Sequence, residues 1–94
     1  MGPPIHREWL LCLDPRESLT EGLVASLFEW KKRAPTAPAY SVFLREERSD
    51  GWFDQAQPHV RLIPGNWDQW AGHLPTAATL TAPLEGPLLR FSFP

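Results

Sequence analysis

Apolar side chains near the start of the chain recur at every second position. In "REWLLCLD", Trp9, Leu11 and Leu13 fall on one side and Leu10 and Cys12 on the other. Period-two alternation is that of a β-strand, and apolar residues on both sides predict a central strand covered on both faces. The period then lengthens. Leu19, Leu23, Leu27 and Trp30 share one arc at about 100° per residue, and Val24 and Phe28 widen it. The spacing predicts a long helix over 14–33. Asp14 is its expected N-cap, Pro15 its first residue and Glu17 the partner of a capping box. Ser18 and Glu21 repeat the capping pattern one turn later. Lys31, Lys32 and Arg33 close the helix where the dipole favours cations. Gly22 inside it predicts a close approach to the sheet.

After the proline-broken "APTAPA", "YSVFLREE" alternates again, with Tyr40, Val42 and Leu44 inward and Ser41, Phe43 and Arg45 outward. Asp50-Gly51 signals a hairpin whose return strand opens with Trp52 and Phe53. "HVRLIP" reads as a short strand. "GNWDQWAGHL" reads as a short helix capped by Asn66 and ended by Pro75. "ATLTAP" has no clear period. "LEGP" turns the chain into a final strand, "LLRFSF", with Leu89, Phe91 and Phe93 on one face.

These elements predict an α+β fold. One long and one short helix would cover a mainly antiparallel sheet of about four to five strands in a two-layer sandwich, with a ferredoxin-like arrangement as the first expectation. Residues 1–94 suffice for a single small domain with a thin core. Five Trp and five Phe supply much of the core volume.

The charge balance narrows the function. Nine basic and eleven acidic side chains leave a net −2, against the basic excess of a general nucleic-acid binder. Cys12 is the single cysteine, so no intramolecular disulfide forms, and a reducing, cytoplasmic location is expected. The opening residues lack the pattern of a signal peptide, and no apolar run reaches the ~20 residues of a membrane span. Seven arginines against two lysines, with eleven prolines, fit GC-rich coding of a bacterial or phage kind.

Candidate chemistry centres on the aromatics. If "NWDQW" is helical, Trp67 and Trp70 share a face: either a binding platform or the lid of the core. Trp52 and Phe53 are adjacent on a strand and point to opposite faces, so one core cannot hold both. Phe43 adds to the outward side. Trp52, Phe53, Arg61, Trp67 and Trp70 are therefore the expected binding residues, because Trp and Arg anchor protein interfaces. Asp14, at the end of the first strand, is the one candidate for metal-dependent hydrolase or nuclease chemistry, against its simpler role as a cap. His6, His59 and His73 show no metal spacing, Cys12 sits in an apolar run, and no phosphate loop is present. The expected function is a non-catalytic protein-interaction module without a cofactor, binding another protein or itself as a homo-oligomer. A small hydrolase using Asp14 is the alternative. Nucleic-acid stacking beside Lys31, Lys32, Arg33, Arg45 and Arg48 is a further one.

Overall fold

The computed structural model describes residues 8–77 and 81–92. Ten strands and one helix follow in the order β1 (Trp9–Leu11), β2 (Glu17–Leu19), α1 (Glu21–Lys31), β3 (Tyr40–Val42), β4 (Leu44–Arg48), β5 (Gly51–Asp54), β6 (His59–Pro64), β7 (Trp70–Ala71), β8 (Leu74–Pro75), β9 (Ala82–Pro83) and β10 (Leu88–Arg90). They form two four-stranded sheets, ordered β1-β6-β3-β9 and β2-β10-β4-β5, and a β7-β8 hairpin. The molecule is thus mainly β. The expected two-helix α+β sandwich, ferredoxin-like or otherwise, is not what forms.

Two segments account for the difference. The first is 14–19. The capping chemistry read from the sequence is present: the Asp14 N–H donates to Glu17 Oε1 at 2.9 Å, and the Arg16 N–H donates to Asp14 Oδ1 at 3.0 Å. It caps a turn, closed by the Glu17 N–H to the Asp14 carbonyl at 2.9 Å, instead of a helix. Glu17, Ser18 and Leu19 then pair with β10, which holds them extended. The helix begins six residues later than expected, at Glu21, with Thr20 as N-cap accepting from the Leu23 N–H. The second segment is 65–75. "NWDQW" is no helix: the Trp67 N–H closes a turn onto the Pro64 carbonyl, and Trp70 enters the small hairpin. Gly72, at φ 65°, occupies the first central position of the Gly72-His73 turn, where a type II′ hairpin demands glycine.

Two segments, side by side and parallel, run from one four-stranded sheet into the other. The chain leaves β3 and enters β4 across Phe43 alone, crossing from one sheet to the other. Segment 82–90 follows it in parallel, β9 on β3 and β10 on β4. Between Pro83 and Leu88 the second path is two residues longer, since Pro83 faces Ser41 and Leu88 faces Leu44. The surplus bulges out as a loop at 84–87 and meets α1. Thr20 Oγ1 donates to the Pro87 carbonyl at 2.6 Å and Ser26 Oγ to the Glu85 carbonyl at 2.7 Å. Gly86, at φ 94°, lies so close to α1 that a Cβ there would fall 2.3 Å from the Leu23 nitrogen. A Cβ on Gly22 would fall 3.5 Å from the Gly86 Cα. The glycine in the helix does serve a close approach, and its partner is this loop.

The main core lies between the two sheets and α1: Leu23, Tyr40, Val42, Leu44, Leu62, Leu84 and Leu88. Burial stabilises by about 1.5–3 kcal/mol for each such side chain. Trp9, Trp30 and Tyr40 close one end, with ring centroids 5.1–5.8 Å apart. A second small core, Ala39, Val60 and Ile63, lies beneath Trp67. No helix among the described residues is long and apolar enough to cross a membrane. Phe93, His6 and residues 78–80, the first half of "ATLTAP", lie outside the described residues.

Candidate functional site

The five expected contact residues separate into two groups. Trp52 and Phe53 stand on β5, where all four residues are exposed; Trp52 keeps 49% and Phe53 43% of its surface. The Asp50-Gly51 signal is realised, with β5 pairing antiparallel to β4 from Arg48↔Gly51 to Arg45↔Asp54. Gly51, at φ 128°, takes the backbone conformation that the turn needs. Trp52 shares the outer face of the sheet with Phe43, and its ring meets Phe91 edge-on at 5.5 Å. Between Phe43 and Trp52 runs the Arg45–Asp54 ion pair at 2.7 Å, whose hydrogen bond holds the Asp54 carboxyl below its ordinary value. Phe53 lies on the opposite face, beneath the Arg48 guanidinium at 3.8 Å. Cation–π contacts at exposed positions contribute about 0.5–1 kcal/mol.

β5 is also the end of its sheet. The Gln55 N–H donates to the Leu44 carbonyl at 2.9 Å, in register with the β4–β5 ladder. Main-chain groups alternate in direction along an antiparallel strand, so Gly51 and Phe53 also point toward β4. Trp52 and Asp54 therefore present their N–H and C=O groups to the open edge. An open groove of about 560 Å³ runs beside this hairpin, lined by Phe43, Arg45, Asp54, Gln55 and the 83–87 loop.

Arg61, Trp67 and Trp70 are placed otherwise. Arg61 is only 3% exposed. A register shift opposite Tyr40/Ser41 puts one surplus residue, Arg61, into β6. Such a bulge re-aims a side chain. The guanidinium reaches Glu17 of the other sheet at 3.0 and 3.4 Å and also donates to the Val60 carbonyl. It ties the two sheets together and does not face outward. Trp67 is half-buried on the second core, and its indole N–H is shared between the Gln69 and Thr76 carbonyls at 3.0 and 2.9 Å. Trp70 remains 43% exposed, but its indole N–H is bound to the Trp67 carbonyl at 3.0 Å. Since there is no helix here, the shared face expected of the pair does not exist.

The remaining chemical candidates are occupied locally. Asp14 is the acceptor of its own turn, and the Arg16 N–H is the main cause holding its carboxyl below the ordinary value. Burial pushes the Cys12 thiol up, away from the reactive thiolate. His59 bonds Gln55 at 2.8 Å, and burial lowers its pKa. Among the described residues, no three His, Cys, Asp or Glu side chains converge as a metal site would require.

The sequence reading missed three parts of these arrangements. The Glu17–Arg61 pair joins positions 44 apart and leaves no local trace. Arg48 over Phe53 follows from the hairpin register, once Arg48 is set opposite Gly51. Phe91 against Trp52 was half visible, in the alternation of "LLRFSF". Comparison with family models, characterised proteins and solved structures finds no match to this chain.

Proposed function

We propose that this domain is a non-catalytic protein-interaction module that binds through the β4–β5 hairpin. One observation carries the reading: Trp52 and Phe53, both exposed, flank a strand edge that is unpaired among the described residues. Consecutive aromatics on opposite faces are a poor fit to a flat partner, which touches one face only. They suit a partner that adds a strand at the edge, since main-chain bonds at Trp52 and Asp54 then lie between side-chain contacts on both faces. Exposed apolar groups of this kind mark interaction surfaces, and open edges invite pairing. The Arg48–Phe53 stack and the groove beside Phe43 add the Arg and aromatic character of interface anchors.

The test compares partner capture by wild type, Trp52→Ser, Phe53→Ser and Trp70→Ser, each shown by circular dichroism to fold. Capture lost with the two β5 variants and kept with Trp70→Ser supports the hairpin. Slowed amide exchange at Trp52 and Asp54 in the complex places the contact at the edge. Capture indifferent to both β5 variants refutes it.

A further inference from the structure

The geometry points to a second copy of this chain as the strand that completes the edge, with β5 pairing antiparallel to β5 about a two-fold axis at Phe53. This rests on the hairpin being the binding surface and goes on to name what binds it.

The argument is one of register. Two copies of one strand paired antiparallel are related by a two-fold axis perpendicular to the sheet. The axis must pass through a residue facing its own copy, because paired residues share a face. Within β5 the choices are Gly51, Trp52, Phe53 and Asp54 as the self-facing residue. An axis at Gly51 sets Trp52 and Phe53 against Asp50 and Ser49 of the other copy, which form a turn and offer no extended strand. An axis at Trp52 sets Asp54 against the Asp50 of the other copy, twice over. An axis at Asp54 sets the two Asp54 carboxylates against each other. Like charges directly opposed destabilise a sheet.

The axis at Phe53 avoids both clashes. Trp52 then faces Asp54 of the other copy on either side. These are the residues whose N–H and C=O groups point out of the edge, so each pair exchanges both main-chain hydrogen bonds. The Trp52 indole N–H makes no hydrogen bond among the described residues, and the facing Asp54 carboxylate is an acceptor for it. Phe53 faces Phe53 at a non-hydrogen-bonded position, where side chains approach most closely. Each Arg48 already lies over its own Phe53 ring, so the two rings join as one stack with a guanidinium at either end. The edge is complementary to itself in hydrogen bonds, charge and aromatic contact in this register alone. The contact is small, below the roughly 1,200 Å² of a stable interface, so the dimer is weak and depends on concentration.

The test uses the full chain. Light scattering across a concentration series should show the mass doubling, and Phe53→Lys, still folded, should abolish the doubling. Three single-cysteine variants in a Cys12→Ser background then read the register. At the axis, the two Cα atoms lie about 4.5 Å apart, within disulfide range. At the neighbouring positions, equivalent Cα atoms lie about 8 Å apart, beyond it. Phe53→Cys should therefore cross-link under mild oxidation, and Trp52→Cys and Asp54→Cys should not. A wild type that stays monomeric throughout, or cross-linking fastest at 52 or 54, overturns the inference. If a monomeric wild type still loses a different partner through Trp52→Ser, self-pairing falls and the interaction reading stands. If a dimer persists in Phe53→Lys, the hairpin is not its interface.

Discussion

The β4–β5 hairpin and the stretch from β6 to β8 carry similar side chains and treat them in opposite ways. Both hold two large aromatics with arginine beside them, Arg45 and Arg48 in the hairpin and Arg61 in β6. In the stretch from β6 to β8 every polar atom of that set has a partner in its own fold: Arg61 on Glu17, and the Trp67 and Trp70 indoles on nearby carbonyls. In the hairpin, Arg48 is likewise paired, with Glu46 at 3.2 Å, and lies over a ring, but the Trp52 indole N–H makes no hydrogen bond among the described residues and the edge groups of Trp52 and Asp54 point to solvent. Residue type therefore does not separate the two regions. The destination of the hydrogen-bonding groups does. A Trp with its N–H fixed internally is held by the fold, whereas one with a free donor beside a free strand edge has bonds left to make.

This contrast can be broken by mutation. The largest effect falls on Arg61. Arg61→Met leaves the Glu17 carboxylate inside without its partner, and should lower stability in denaturant unfolding by about 3–5 kcal/mol. Adding Glu17→Leu should recover most of that loss. An Arg61→Met protein as stable as wild type would erase the division. Trp67→Ala comes next, at about 3 kcal/mol, since it removes a half-buried ring and strands two carbonyls. Trp52→Ser and Phe53→Ser should each change stability by less than about 1 kcal/mol, because both side chains are largely exposed. On the proposed function their effect falls on association, and a large melting shift in either would make the hairpin structural too.

The smallest effect sharpens the contrast through pH. His59 begins β6 and bonds Gln55, which follows β5. Burial is the main cause lowering its pKa below the ordinary 6.5, with Arg61 adding to it. The folded state then holds the proton less tightly than the unfolded chain does. Stability from this group is complete above the ordinary value and declines as pH falls toward the lower folded value. His59→Gln should flatten that part of the stability–pH curve. The depressed Asp14 and Asp54 carboxylates act only at more acidic pH.

The sequence made some of this legible. The alternation at 40–45 placed Tyr40, Val42 and Leu44 inside and Phe43 and Arg45 outside, as they are, but it also placed Ser41 outside, and Ser41 is buried because β3 is covered on both faces where β4 is covered on one. The hairpin at Asp50-Gly51 was equally local. Gly22 signalled a close contact, though not its partner. The failures share a cause. The Asp14–Glu17 capping bonds suit a turn as well as a helix, and β10, some 70 residues on, decides between them. "NWDQW" has helical spacing, but its indole bonds and the Gly72 turn hold it as a hairpin. The bulge that turns Arg61 inward depends on how β6 meets β3, which no local pattern records.

The placement of β10 between β2 and β4 has a consequence for synthesis. Until residues 88–90 have emerged from the ribosome, that sheet is limited to its β4–β5 hairpin, and a lone hairpin is marginal in water. The pairing that completes it is parallel and distant in sequence, and such pairings form slowly. During that interval the nascent hairpin carries two open edges, the outer one and the inner one that β10 will fill. Neighbouring chains on one messenger present the same edges at high local concentration. The order in which the chain is made therefore sets a window for premature strand exchange, and it closes only once β10 has emerged and filled its place between β2 and β4.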